Sequence, residues 1–151
     1  MIRWPMLLAL ACAVPVGAQP VTKLALTGFN GNMGTAVLAD FDQGFRDSPT
    51  STTYTVTITA RNRIRTTTAY IRANAATMGG GKSVSDCQWR RNDLGTWNAL
   101  TTTDALVESK VIQNVGTSWN NSIWFRCNLN WATDTPLTYS VPVTITLQVT
   151  P

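Results

Sequence analysis

The stretch NSIWFRCNLNWATDTPLTYSVPVTITLQVT, from Asn121 to Thr150, carries the strongest fold signal in the chain. Apolar and polar side chains alternate on both sides of a polar break at residues 133–136. Successive side chains of a strand point to opposite faces, so each run predicts a strand with one buried face. Because consecutive strands with a short connection commonly pair, we predict an antiparallel closing hairpin. The predicted inward rows are Ile123, Phe125, Cys127, Leu129 and Trp131, then Tyr139, Val141, Val143, Ile145, Leu147 and Val149.

Length and composition indicate one folded domain. The chain has 151 residues, of which 44% are hydrophobic and only 13% charged. That charged fraction is about half the usual value, and with abundant Thr and Ser it suits an extracellular β protein rather than a disordered segment. The net charge of +4 is too small for a nucleic-acid-binding stripe, so we predict no nucleic-acid partner.

The N-terminus predicts export. Arg3 precedes an apolar run at residues 6–16, and small residues at 16–18 suit cleavage by a signal peptidase. We therefore expect a signal peptide at 1–18, a β-sandwich domain at 19–151, and a secreted, periplasmic or cell-surface location. One alternative is lipidation at Cys12, although Ala9 and Leu10 stand in the wrong order for a lipoprotein motif.

Removal of the signal peptide leaves two cysteines, Cys87 and Cys127. In an exported chain a single pair of cysteines usually forms a disulfide bond. A zinc site would need more ligands, and the chain contains no His. We predict a Cys87–Cys127 disulfide, with Trp89 packed beside it on the same inward face.

Short alternating runs continue through the rest of the chain, and no helix is predicted after the signal peptide. In the run at 105–113, Val107 and Val111 are expected to face the core, opposite Glu108 and Lys110. Pro142 cannot donate a ladder hydrogen bond, which favours a sheet edge for the last strand or a strand whose start is unpaired. The fold class predicted is all-β, an immunoglobulin-like two-sheet antiparallel β-sandwich. The other predicted strands lie at residues 21–27, 35–41, 52–60, 66–73 and 83–91.

The closing run resembles the final two strands of bacterial immunoglobulin-like surface domains. The resemblance covers residues 121–150, where Tyr139 opens a last strand of alternating Val, Thr, Ile and Leu. The chain departs from antibody-type domains because its cysteines do not bracket a Trp at the expected spacing. The resemblance implies a fold and no activity, since sandwich folds have many functions.

The sequence gives little support for catalysis. No His is present to serve as a general base, and the Asp residues stand mostly in predicted turns. Asp40 and Asp42 could suggest a calcium loop, but Gly44, Phe45 and Arg46 replace the further ligands that such a loop needs. We therefore expect no enzyme activity, no cofactor and no metal site.

Two sets of residues are candidate binding sites. The first is Arg61, Arg63 and Arg65, whose shared parity would place three guanidinium groups on one strand face. This face is either a charged edge that blocks strand addition or a docking strip for anionic envelope polymers or lipid headgroups. The second is the outward row of the closing hairpin, where a large aromatic side chain stands beside guanidinium and amide groups. That row consists of Trp124, Arg126, Asn128 and Asn130.

These observations favour a non-catalytic exported β-sandwich that acts by contact, as a surface, periplasmic or assembly component. The expected partner is an envelope protein or a glycan. Two alternatives stay open: a carbohydrate-binding module that uses the Trp124 row, and an accessory subunit or lipoprotein docked on a membrane complex through peripheral contact.

Overall fold

The computed structural model describes residues 22–28, 33–58, 65–112, 118–140 and 142–150, with the backbone alone at Thr22, Lys23 and Ile58. The predicted signal peptide with Cys12 lies outside these ranges, as do Arg61 and Arg63. No helix in the described part of the chain is long and apolar enough to cross a membrane. The elements are β1 (Thr22–Gly28), α1 (Leu38–Gln43), β2 (Phe45–Asp47), β3 (Thr52–Ile58), β4 (Arg65–Ala73), β5 (Cys87–Arg91), β6 (Asn98–Ala99), β7 (Ala105–Ile112), β8 (Ser118–Asn128) and β9 (Val143–Thr150).

The strands form two antiparallel sheets. The large sheet has the order β1-β3-β8-β5-β6, with β2 also paired to β8, and the small sheet has the order β7-β4-β9. Their inner faces share one core, which confirms the predicted all-β, two-sheet antiparallel sandwich. The edge position predicted for the last strand is also confirmed, because β9 pairs with β4 alone.

The prediction of a closing hairpin is wrong. Strand β8 belongs to the large sheet and β9 to the small sheet, so the two do not pair. One side of β8 is occupied by β3 and β2 and the other by β5, which leaves no free edge for a following strand. The connection between them instead crosses from one sheet to the other. Tyr139, predicted to open the last strand, is buried in this connection and donates a hydrogen bond to the Thr135 carbonyl.

Alternation along β3 and β8 agrees with the prediction. Tyr54 and Val56 are fully buried on β3, as is Ile123 on β8. The predicted Cys87–Cys127 disulfide is present and joins residues directly opposite each other on β5 and β8. The bridge therefore lies within the large sheet, with Trp89 buried beside it.

The segment at 35–41 was predicted as a strand, but only Thr35 forms a bridge, to Thr138, and α1 follows. Local capping explains the difference. The Asp40 carboxylate accepts a hydrogen bond from the Val37 N–H and pairs with Arg46, while Gly44 ends the helix at a φ of 81°. The helix buries Phe41.

Strand β7 also departs from simple alternation. Ala69 of β4 lies opposite Glu108 while Tyr70 lies opposite Leu106, so Val107 is an extra residue in the ladder. Because of this bulge both Val107 and Glu108 are buried, and Val111 is 61% exposed. The prediction that Val111 faces the core and Glu108 faces solvent is wrong.

Candidate functional site

Five large side chains cluster on the solvent face of the large sheet, opposite the core. We call them the aromatic–arginine platform: Phe45, Arg90, Trp97, Trp124 and Arg126. Each is partly buried, because the side chains cover one another rather than standing free in solvent. The platform is therefore an ordered surface whose planar groups are already packed.

Strand register builds the first row of the platform. Arg90 on β5 lies directly opposite Trp124 on β8. On its other side β5 pairs with β6 in the register Trp89 to Asn98, which brings Trp97 alongside Arg90. The Arg90 guanidinium carbon lies 4.8 Å from the centre of the Trp97 ring, within cation–π range. One guanidinium therefore stands between two indoles.

Arg126 fixes the second row. Its guanidinium forms a two-pronged pair with Asp47, with Nε 2.6 Å from Oδ1 and Nη2 2.9 Å from Oδ2. Its central carbon is 3.6 Å from the Phe45 ring centre and 4.5 Å from that of Trp97. The hydrogen bond to Asp47 raises the pKa of Arg126, so this cation is both immobilised and compensated.

Arg90 is placed differently from Arg126. Across the ranges that the structure describes, it has no carboxylate partner, and its Nε is buried without a hydrogen-bond partner. Its ordering comes from the stack on Trp97 and from the neighbouring strands. The platform thus presents one compensated cation and one cation whose charge is not balanced by a described side chain.

Trp124 lies on the outward row of β8, where parity predicted it, and is partly buried. Its indole N–H donates to the Asn92 side-chain oxygen at 3.2 Å, which fixes the ring orientation. Asn128 continues the row as an exposed residue opposite Phe45. Asn130 does not: it lies beyond β8 in a turn, where its side chain accepts from the Ala132 N–H.

Of the three arginines in the predicted strip, the structure describes Arg65, which is partly buried. Arg65 begins β4 and shares its parity with the fully buried Thr67 and Ala69, so it lies on the inward row. Its Nε is buried without a hydrogen-bond partner. Arg65 therefore lies in the small sheet, away from the platform. The docking strip itself stays a prediction, because Arg61 and Arg63 lie outside the described residues.

Trp131 was predicted to close the inner row, but it is 53% exposed. It lies beyond the end of β8 and packs on Phe41 of α1, with ring centres 4.9 Å apart. Alternation fails here because the strand ends at Asn128 and a turn redirects the chain.

An ion cluster with Lys82 buried at its centre joins two loops at the edge of the core. Lys82 Nζ lies 2.7 Å from Asp134 and 3.1 Å from Asp86. Burial lowers the Lys82 pKa, but the hydrogen bonds that Lys82 donates to the two carboxylates outweigh this effect, so the pKa is raised. Its charges pair with one another, so the cluster stabilises the two loops against each other. Within the described ranges no group of three or more His, Cys, Asp or Glu side chains could hold a metal ion.

Sequence reasoning found Trp124 and Arg126 but missed Phe45, Arg90 and Trp97. The outward position of Arg90 could have been predicted from the sequence, because Arg90 alternates with the inward Cys87 and Trp89. Phe45 and Trp97 reach the platform through cross-strand register, which no local pattern reports. Comparison with protein-family models, with curated proteins and with solved structures found no match to the chain.

Proposed function

We propose that the protein is a non-catalytic exported β-sandwich that acts by contact, as a surface, periplasmic or assembly component, and that the aromatic–arginine platform is its contact face. The observation that carries this proposal is the stacking of Arg126 and Arg90 on Trp97, beside Trp124, on the solvent face of the large sheet.

Trp and Arg are the residue types that dominate binding energy at protein surfaces. They supply large area and several fixed donors, and binding costs less when their rotamers are already ordered. Asp47 orders Arg126, and Asn92 orders Trp124. Such preorganisation favours recognition over simple solubility.

The disulfide supports export, since disulfide bonds persist in oxidising compartments. The absence of His from the whole sequence favours contact over acid–base catalysis. Glu108 is a buried carboxylate of the kind that catalysis uses, but Tyr54, Asn121 and Lys110 surround it inside the sandwich. This arrangement supports a structural role for Glu108.

A carbohydrate-binding module is the second candidate. Two indoles share the face, and the amide side chains of Gln88, Asn92 and Asn128 stand around them. Flat aromatic rings with hydrogen-bonding neighbours suit the apolar face and hydroxyl groups of a sugar.

The test is capture of partners from the native envelope fraction by the folded protein. We expect Trp97→Ala and Trp124→Ala to lose the captured partner, while Trp131→Ala retains it. Trp131 is the matched control, because it is an exposed Trp that packs on Phe41 of α1, outside the platform. A glycan array with the same variants separates the two candidates. Capture that survives both platform substitutions would overturn the proposal.

A further inference from the structure

We infer that the platform binds an acidic polysaccharide, whose carboxylate groups pair with Arg90 while its sugar rings lie on the indoles of Trp97 and Trp124. This inference rests on the proposed contact role of the platform and goes beyond it by naming the ligand class and the residue that selects it.

The two platform cations differ in whether a carboxylate of the same chain balances their charge. Asp47 already occupies Arg126 through two hydrogen bonds. In the described residues no carboxylate faces Arg90, and its Nε lacks a hydrogen-bond partner. A guanidinium held on an aromatic ring presents a planar fork that matches a carboxylate in two-pronged geometry. Charge complementarity therefore favours an anionic ligand at Arg90.

Three platform residues form a row across the strands of the large sheet. Trp97, Arg90 and Trp124 stand side by side across neighbouring strands, with the guanidinium in the middle. Neighbouring strands are roughly 4.8 Å apart, so the backbones that carry Trp97 and Trp124 are about 10 Å apart across the sheet. A linear chain of sugar rings lying across the strands would meet an indole, a cation and a second indole in turn.

The surroundings of the row favour a polysaccharide over an acidic peptide. A peptide commonly binds by adding a strand to a free sheet edge or by filling an apolar pocket. Strands β5 and β8 are paired on both sides, and β6, the edge strand beside Trp97, has only two residues and so offers a poor template for an added strand. The side chains around the row are amides and hydroxyls, among them Gln88, Asn92 and Ser122. Such a polar face with two partly exposed indoles suits hydroxyl-rich sugars.

The experiment measures the affinity of the folded protein for polygalacturonate and for the same polymer with its carboxyl groups reduced. We expect binding to the carboxylated polymer and at least tenfold weaker binding to the reduced one. Arg90→Gln should lose about tenfold in affinity for the carboxylated polymer, the usual effect of one charged hydrogen-bonded contact. The reduced polymer should bind this variant and the unchanged protein alike.

The matched control is Arg72→Gln. Arg72 is an exposed cation on β4 of the small sheet, 3.8 Å from Asp104, so this change removes the same charge from another sheet. Equal losses for Arg72→Gln and Arg90→Gln would show non-specific attraction and overturn the inference. If Arg90→Gln fails to fold by circular dichroism, Arg90→Lys keeps the charge without the fork. Undiminished binding by that variant would equally overturn it.

Polyglutamate provides the other arm. We expect it to bind much more weakly than polygalacturonate, because it offers carboxylates without sugar rings. Equal binding that is insensitive to Trp97→Ala would assign the site to acidic polypeptides and overturn the polysaccharide. If capture from the envelope depends on Trp124 but not on Arg90, the contact role stands and the acidic polysaccharide fails.

Discussion

The hydroxyl group of Tyr54 on β3 donates a hydrogen bond of 2.6 Å to Glu108 on β7, and so joins the two sheets through the core. Tyr54 is fully buried and Glu108 is 8% exposed. Burial, followed by the hydrogen bond to Glu108, raises the pKa of Tyr54. The polar pair therefore stays protonated at Tyr54 and fixes the relative position of the sheets.

Removing the Tyr54 hydroxyl should weaken this connection. Tyr54→Phe leaves the Glu108 carboxylate short of a donor in a buried site, so we expect a loss of about 1–3 kcal/mol in the free energy of unfolding. The control is Tyr70→Phe, on a partly exposed side chain of β4, which should change stability by no more than about 0.5 kcal/mol. Urea unfolding measures both, and equal midpoints for the two variants would contradict the prediction.

Lys82 should impose an alkaline limit on stability. Its folded-state pKa is raised above the unfolded value of 10.5, so its contribution is complete below pH 10.5 and is lost as pH rises through the folded pKa. Lys82→Met leaves the Asp134 carboxylate buried without its cation and should cost about 3 kcal/mol at neutral pH. The stability difference between the unchanged protein and this variant should shrink above pH 10.5.

The control for Lys82 is Lys110→Met, since the Lys110 side chain is 43% exposed. Its effect at neutral pH should be much smaller. A difference between the unchanged protein and Lys82→Met that stays constant from pH 8 to well above 10.5 would contradict the pKa assignment.

Neighbouring residues of β8 should respond differently to truncation. Phe125 is 6% exposed and faces the core, so Phe125→Ala should cost about 3–5 kcal/mol. Trp124 faces outward on the platform, and Trp124→Ala should lower the thermal midpoint much less. Scanning calorimetry decides the matter: similar losses would mean that the Trp124 indole serves packing rather than contact.

Strand β9 allows a similar comparison at a sheet edge. Ile145 is partly buried and packs against the core, whereas Thr146 lies on the opposite face of the strand. An unpaired carboxylate at 145 should therefore destabilise by several kcal/mol, as buried charges do. Ile145→Asp and Thr146→Asp are compared by their urea midpoints, and equal shifts would show the register to be wrong.

The disulfide closes a loop with a sequence separation of 40. Chain-entropy reasoning gives a stabilisation of about 4 kcal/mol for a loop of this size. We expect the Cys87→Ala, Cys127→Ala double variant to lose several kcal/mol in the free energy of unfolding. Non-reducing peptide mapping of the native protein should recover the linked peptides. Recovery of both thiols free would contradict the prediction, and an N-terminus other than Gln19 would contradict the predicted cleavage.

The sequence predicted best those strands whose buried face is determined by the local alternation of apolar and polar residues. Strands β3 and β8 each bury one face and are paired on both sides, so Tyr54, Ile123 and Phe125 were placed correctly by alternation alone. Pairing is different, because it depends on which edges other strands have already occupied. The prediction of a hairpin between β8 and β9 was wrong for this reason.

Local exceptions account for the other errors. One extra residue at Val107 reverses the face of every later side chain in β7. A cap at Asp40 turns an apolar run into α1. At the site, parity placed Trp124 and Arg126, but only the register between β5 and β6 brings Trp97 to Arg90.

The position of β8 sets the order in which this chain can fold. Strands β3 and β5 both depend on β8 as their shared neighbour, although β8 comes after both of them in the chain. The large sheet therefore cannot close until residue 128 has emerged from the ribosome. Such non-local pairing gives a high contact order and slow folding, typically milliseconds to seconds. Formation of the Cys87–Cys127 disulfide must also wait for β8, because Cys127 lies on that strand.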